Sequence, residues 1–448
     1  MNPRRVRHAL PAALVTVAML AGCQTSQAPA TAPAQTAAPA PAPAPAPATT
    51  ATGALPAPVP TPAPVTATKV AAPATAQTEF VAPAPIKFED SVTRAGRQLF
   101  RDAQATLGTE PRLMVIDPLI DANTGAQTVS TAKMGDDLEA LAKKDFRSYA
   151  VTPLTRNTLA TKPLLLIGTL TPVNVERSID KQPDAFRVWL TLIDLRTGKV
   201  VAKALDRATV DSVNPEPLPF YRDSPTWHKD ATIMGYINSC QVNTKIGDLA
   251  DPGYLSRLPA AAVINEAILA YDDGKVPVAN RLYKEAQPIA DPGDLRVLNG
   301  LYITNWQLGK KDEARDAFGK LVTSGLELKR LPMKLLFQPG RTTFITSGDL
   351  PAQYSIWLAS LAEQAGRTPA CVRVVGHTSR TGSAAANERL SRQRAEAVQK
   401  MLEKDNRTLS SKLSASGAGS KEALVGLGTD DMRDAIDRRV EFRVVDCV

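Results

Sequence analysis

The chain has 448 residues, a formal net charge of +8 and 22% charged residues. That length holds more than one folded domain, and its interspersed charges of both signs give no support to nucleic-acid binding. With three histidines and four cysteines in the whole sequence, a zinc site built from those residues has too few ligands to draw on, so no metal or cofactor is expected.

Arg4, Arg5 and Arg7 precede an apolar stretch at 9–21, and Gly22-Cys23 closes it. This reads as a secretory signal over residues 1–22, not a membrane span. The order Leu20-Ala21-Gly22-Cys23 resembles the bacterial lipobox. The resemblance implies cleavage before Cys23, diacylation of its sulfur and acylation of its amine by chains such as palmitate. At about 0.8 kcal/mol per buried methylene, several acyl chains anchor firmly. By analogy with lipoprotein sorting, Gln24 in place of aspartate points to the outer membrane, facing the periplasm. Removing the three leader arginines from 53 basic residues leaves 50 against 45 acidic ones. Of the cysteines, Cys240, Cys371 and Cys447 remain for an oxidising compartment, which makes one pair and one odd thiol.

From 24 to 68 no charged residue occurs, and the chain is nearly all Ala, Pro, Thr and Val. Such a segment buries no core and samples extended states; at about 3.1 Å per residue it reaches on the order of 100 Å or more. We read 23–79 as a disordered leash. Composition then changes: helical patterns at 91–107 and 133–144 surround an apolar run at 113–116. Further on, Leu164-Leu165-Leu166-Ile167 reads as a strand. Phe186, Val188, Leu190 and Leu192 alternate with polar neighbours before Arg196-Thr197-Gly198 turns the chain into Lys199-Val200-Val201, a hairpin signature. These elements predict an α/β domain at 80–225. The phrase LTLIDLRTGKVV and the element order resemble the domain shared by FlgO, the N-terminal part of TolB, CsgG and the LpoB activators of cell-wall synthases. That implies an adaptor with envelope protein partners. In DPLIDANTGAQ, Asp121 and Asn123 have the spacing of a calcium loop, but Gly125 stands where a third ligand belongs and no glutamate closes it. A polar turn is predicted instead.

Residues 260–325 read as helices. Slid on itself by 35 positions, the segment places Gly274 on Gly309, Lys275 on Lys310, Ala279 on Ala314 and Tyr283 on Phe318. This resembles tetratricopeptide repeats. Two copies suit either a helical spacer packed on a neighbour or a groove for a partner peptide.

In the last quarter, a helix predicted at 383–403 gathers Leu390, Ala395, Ala397, Val398, Met401 and Leu402 on one arc and charged residues on the other. Asn387, Ser391 and Arg394 fall within the apolar arc. A guanidinium aimed at a core costs several kcal/mol unless it meets an anion or enough acceptors. Either a carboxylate from a strand pairs Arg394, or it awaits a carboxylate-bearing ligand. His377 and Ser379 end the preceding strand on one face, but no acid is placed locally to orient the imidazole. We therefore expect no enzyme, and read His377 as a strand-end packing residue.

The run VRVVGHTSRTGSAAANERLSRQRAEAVQKML, with LLFQPGRTTF before it and ASGAGS and DRRVEFRVV after it, resembles the OmpA-like peptidoglycan-binding domain of OmpA, Pal and MotB. The resemblance covers 331–448. It implies a βαβαβ domain with a mixed sheet that binds diaminopimelate in the peptidoglycan stem peptide. Arg394 then takes the ligand carboxylate, a bidentate task suited to a guanidinium, with Asn387, Thr378 and Ser379 beside it and Arg439 close by or in a structural ion pair. Ser379 departs from the family's aspartate and lacks the charge that would meet the ligand's ammonium. In the resembling fold the strands that begin at Cys371 and end at Cys447 are antiparallel neighbours, which implies a Cys371–Cys447 disulfide and leaves Cys240 unpaired.

The sequence thus predicts a multidomain α+β chain: signal, leash, α/β domain, a connector with TPR-like helices at 226–330, and an OmpA-like domain. It would be an outer-membrane lipoprotein that ties the membrane to the wall, or an adaptor that recruits a wall-synthesis, secretion or motility complex.

Overall fold

The computed structural model describes residues 83–447 apart from 175–180, 228, 242, 347, 430, 432 and 434. The predicted signal, Cys23, the leash to residue 79 and His228 lie outside the described residues.

The first part runs Phe88–Leu107 (α1), Arg112–Ile116 (β1), Ile120–Asp121 (β2), Val129–Asp145 (α2), Tyr149–Thr152 (β3), Arg156–Ala160 (α3), Leu164–Val173 (β4), Ala185–Asp194 (β5) and Lys199–Ala208 (β6). The sheet order is β3-β1-β4-β5-β6, with β2 also on β4; β1 is parallel to β3 and β4, and β4, β5 and β6 run antiparallel. The predicted hairpin is β5–β6, turned by Gly198 at φ 69°.

Four helices follow: Pro219–Asp223 (α4), Ala231–Cys240 (α5), Pro252–Ser256 (α6) and Leu258–Asp272 (α7). They explain why β4 reads as an unbroken apolar run. Leu164, Leu166 and Leu170 pack with α1 and α2, while Leu165 and Ile167 pack with Ile233, Tyr236, Cys240 and Ala262 of α5 and α7. A strand covered on both faces loses its alternation. The sheet's second layer therefore comes from beyond residue 225. Cys240 is a free, fully buried thiol, and burial pushes its pKa up to about 11.

The predicted repeat becomes α7 with Val276–Ala286 (α8), then Leu295–Gln307 (α9) with Lys311–Glu327 (α10). Gly274 and Gly309 both turn at positive φ, 73° and 75°, where glycine carries no Cβ penalty. Ala279, Ala314, Tyr283 and Phe318 are all fully buried. Phe318 stacks on Trp357, and Trp357 donates its indole N–H to the Tyr302 hydroxyl at 2.7 Å, which joins the helices to the last part.

That part runs Arg330–Met333 (β7), Leu350–Arg367 (α11), Cys371–Gly376 (β8), Ala384–Asp405 (α12), Leu413–Gly417 (β9) and Val440–Val445 (β10). The βαβαβ order is thus closed by a fourth strand, in a mixed sheet ordered β7-β10-β8-β9. β8 is antiparallel to β10 and parallel to β9. Val445 pairs with Cys371, and the expected Cys371–Cys447 disulfide is formed across 76 residues of sequence. Met401, which the wheel puts on the apolar arc, is exposed; it lies at the arc's edge, and Val398 and Leu402 fill the core beside it. No helix among the described residues is long and apolar enough to cross a membrane.

Two glycines test the packing with opposite signs. A Cβ on Gly300 of α9 would lie 2.3 Å from the buried Tyr283 ring, whereas one on Gly135 of α2 would meet nothing. Chemical unfolding should show Gly300→Ala destabilising by about 1–3 kcal/mol through overpacking and Gly135→Ala stabilising by about 0.5–1 kcal/mol.

Candidate functional site

The sequence-predicted site forms where the C-terminal ends of parallel β8 and β9 meet the N-terminal half of α12. Both strands end in glycine for a steric reason. A Cβ on Gly376 would sit 2.0 Å from the Ser391 carbonyl oxygen, and one on Gly417 would sit 2.4 Å from the Ser391 hydroxyl. α12 can lie this low on the sheet only over glycine. Ser383 caps it, accepting a hydrogen bond from the Ala386 amide.

The polar stripe is buried as its position on the wheel requires: Asn387, Ser391 and Arg394 are 6%, 0% and 1% exposed. Each holds a different loop. Asn387 donates to the carbonyl oxygens of Ser379 (3.3 Å) and Thr381 (2.9 Å). Ser391 accepts from the Gly419 amide at 2.9 Å and donates to Glu388 O. Arg394 donates from Nε to Arg341 O (3.0 Å) and from Nη2 to Gln338 O (3.1 Å), with His377 O at 3.5 Å from Nη1. Its guanidinium lies 5.0 Å from the Phe337 ring centre. Backbone carbonyls and an aromatic face thus line the buried guanidinium. Phe337, Gln338 and Arg341 carry no sequence signal for this role.

Thr378 and Ser379 are buried at 2% and 4% exposure. The Thr378 amide donates to Gly419 O, and the Ser379 and Thr381 hydroxyls are 3.0 Å apart. Among the described residues, His377 finds no hydrogen-bond partner for either ring nitrogen, Ser379 included.

Arg439 points to a different neighbourhood. Its Nε and Nη2 donate to Glu441 Oε1 at 3.0 and 2.8 Å, and its guanidinium lies 5.4 Å from the Trp227 ring centre. Arg330 and Arg443 donate to the same carboxylate, so Arg439 takes the ion-pair role. Donor atoms of His377, Glu422 and Glu441 lie within 4.8 Å of one another. Three guanidiniums from Arg330, Arg439 and Arg443 already occupy the two carboxylates, which makes the cluster unsuited to a cation.

With strands, helix and polar stripe in place, comparison with known proteins gives one family. Residues 336–436 match the model of the OmpA family. The OmpA-like match includes Thr378, Ser379, Asn387 and Arg394 and stops short of Arg439. Similar solved structures include the periplasmic domain of Helicobacter pylori MotB (20% identity over 27% of this chain and 73% of that one, TM-score 0.22). Others are the peptidoglycan-associated lipoprotein from Burkholderia pseudomallei (23% identity, 25% and 88%, TM-score 0.21) and the cell wall anchor of the T6SS from Pseudomonas aeruginosa (21% identity, 26% and 80%, TM-score 0.21). No curated protein matches the chain.

His377 gives this part of the OmpA-like domain a pH signature. Burial, then Arg439, lowers its pKa from 6.5 to about 2. The unfolded chain binds this proton near pH 6.5 and the folded chain only near 2, so stability falls as pH drops below 6.5. Its NMR signals should show a neutral ring down to pH 4. At pH 5 the wild type should have lost about 2 kcal/mol, relative to pH 7, that His377→Gln does not lose.

Proposed function

We propose that the chain is a non-enzymatic lipoprotein that binds peptidoglycan through its OmpA-like domain, at the diaminopimelate of the stem peptide. The observation that carries this reading is the buried guanidinium of Arg394, set among backbone acceptors beside the loop of Thr378 and Ser379. A carboxylate entering here replaces the neutral carbonyls of Gln338 and Arg341 with a charge-assisted, bidentate partner, about twice as strong per bond. Entry requires the 338–341 segment to move, since Arg394 is 1% exposed. Asn387 positions the Ser379–Thr381 loop, and Ser379 faces the ligand with a hydroxyl where a carboxylate would pair an ammonium. Acyl chains on Cys23 would hold the chain in the outer membrane, and residues 23–79 would span to the wall. The OmpA family match over 336–436 supports the reading.

Sedimentation with purified sacculi tests it. Arg394→Ala should lose binding by about tenfold or more and Arg394→Lys by less, because lysine keeps the charge without the fork. Ser379→Asp should bind more tightly, and sacculi lacking diaminopimelate should bind weakly. Unchanged sedimentation of folded Arg394→Ala and Ser379→Asp would overturn the site.

A further inference from the structure

The other face of the C-terminal sheet borders a much larger space. A cleft of about 1650 Å³ lies between the α/β part and the OmpA-like domain, beyond the roughly 300–1,000 Å³ of a pocket for one small molecule. Arg187 and Arg207 on β5 and β6 line one wall. Arg330, Arg380, Lys421 and Arg439 line the other. Asp230 and Glu422 are the only acidic residues among the described lining residues, and both are engaged: Asp230 accepts from the Ile233 and Leu295 amides, and Glu422 pairs with Arg443.

Among the described residues, two buried donors on opposite walls have no hydrogen-bond partner: the Trp189 indole N–H on β5, and Nη1 of Arg439, which is 1% exposed. An unmade bond at a buried donor costs about 1–3 kcal/mol, and an acceptor-rich ligand would remove both costs. The half-buried Trp189 ring has Arg187 at 5.8 Å and Lys203 at 5.3 Å from its centre. A flat apolar face framed by cations suits a sugar ring carrying a carboxylate at its edge.

We propose that this cleft is a second binding site, for an acidic oligosaccharide of several units whose carboxylates meet Nη1 of Arg439 and the Lys421 ammonium and whose rings lie along Trp189. It is separate from the Arg394 site and does not depend on it. The carboxylates come either from the sugars themselves or from short peptides attached to them.

Calorimetric titration of the full chain with three probes decides it: tetragalacturonate, a soluble disaccharide-peptide released from sacculi, and neutral chitotetraose. Tetragalacturonate, or the disaccharide-peptide measured on folded Arg394→Ala so that the first site is silent, should bind, more weakly as salt rises, and chitotetraose should not; the tighter of the two identifies where the carboxylates reside. Arg187→Glu combined with Lys421→Glu should weaken binding by about tenfold or more, whereas Arg187→Lys with Lys421→Arg should preserve it. Arg394→Ala should leave tetragalacturonate binding unchanged; if it abolishes all binding, the cleft proposal falls and the Arg394 reading stands. Equal binding of chitotetraose, no binding of either acid, or indifference to the charge reversals would also overturn the cleft site.

Discussion

A single carboxylate organises the C-terminal half of the molecule. Glu441 is fully buried near the start of β10 and accepts hydrogen bonds from Arg330, Arg439 and Arg443. Isolated burial of that charge would cost many kcal/mol. Three guanidiniums instead hold its pKa far below the usual carboxylate range, Arg439 acting most strongly against the burial penalty. The same positive surroundings, added to its own burial, keep His377 neutral. Because Arg330 belongs to β7, Arg439 precedes β10 and Arg443 lies within it, the cluster locks strand register on the sheet face opposite α11 and α12. Removing Glu441 would leave three arginines facing one another, a larger loss than that of any one pair.

The cluster also shows where a sequence pattern stops being informative. Arg439, Glu441 and Arg443 alternate with Val440, Phe442 and Val444, which reads as a strand with one wet face. The polar face is instead turned toward Trp227 and the cleft. Alternation separates two faces but does not say whether the polar one meets water or another part of the chain. α12 was legible because its 3.6-residue period set Asn387, Ser391 and Arg394 among apolar neighbours, and all three are buried. Their partners were not legible: Arg394 reaches carbonyls 53 and 56 residues away, and backbone acceptors leave no mark in side-chain identity. The layer that α5 and α7 add to the first sheet was hidden for a related reason. Buried nearly all round, these helices show no stripe.

The turn at Asp121 was readable from local chemistry. Its Oδ1 accepts from the Asn123 and Thr124 amides and the Thr124 hydroxyl, so the residues that mimic a calcium loop satisfy themselves. Burial nevertheless raises the Asp121 pKa to about 6. The Asn123 side chain donates to Leu424 O at 2.8 Å. A motif set aside as a binding loop is thus a tie between the first part and the last.

Other ties between the parts are polar as well. Thr226 and Asn299 exchange hydrogen bonds, Asp230 caps α5 and also accepts from Leu295 N, and Lys334 donates to Tyr221 O while burial lowers its pKa to about 7. Next to them, Asp437 gathers the amides of Leu424, Val425 and Gly426, which shapes the loop on the cleft's C-terminal wall. Apolar contacts tolerate sliding; a buried donor with one acceptor in reach does not. A joint made this way therefore favours one relative placement of the α/β part, the helices and the OmpA-like domain, at some expense in raw stability. That placement sets β5 and β6 opposite the Glu441 face at a fixed width, so the cleft belongs to the fold itself and not to a chance gap between linked domains.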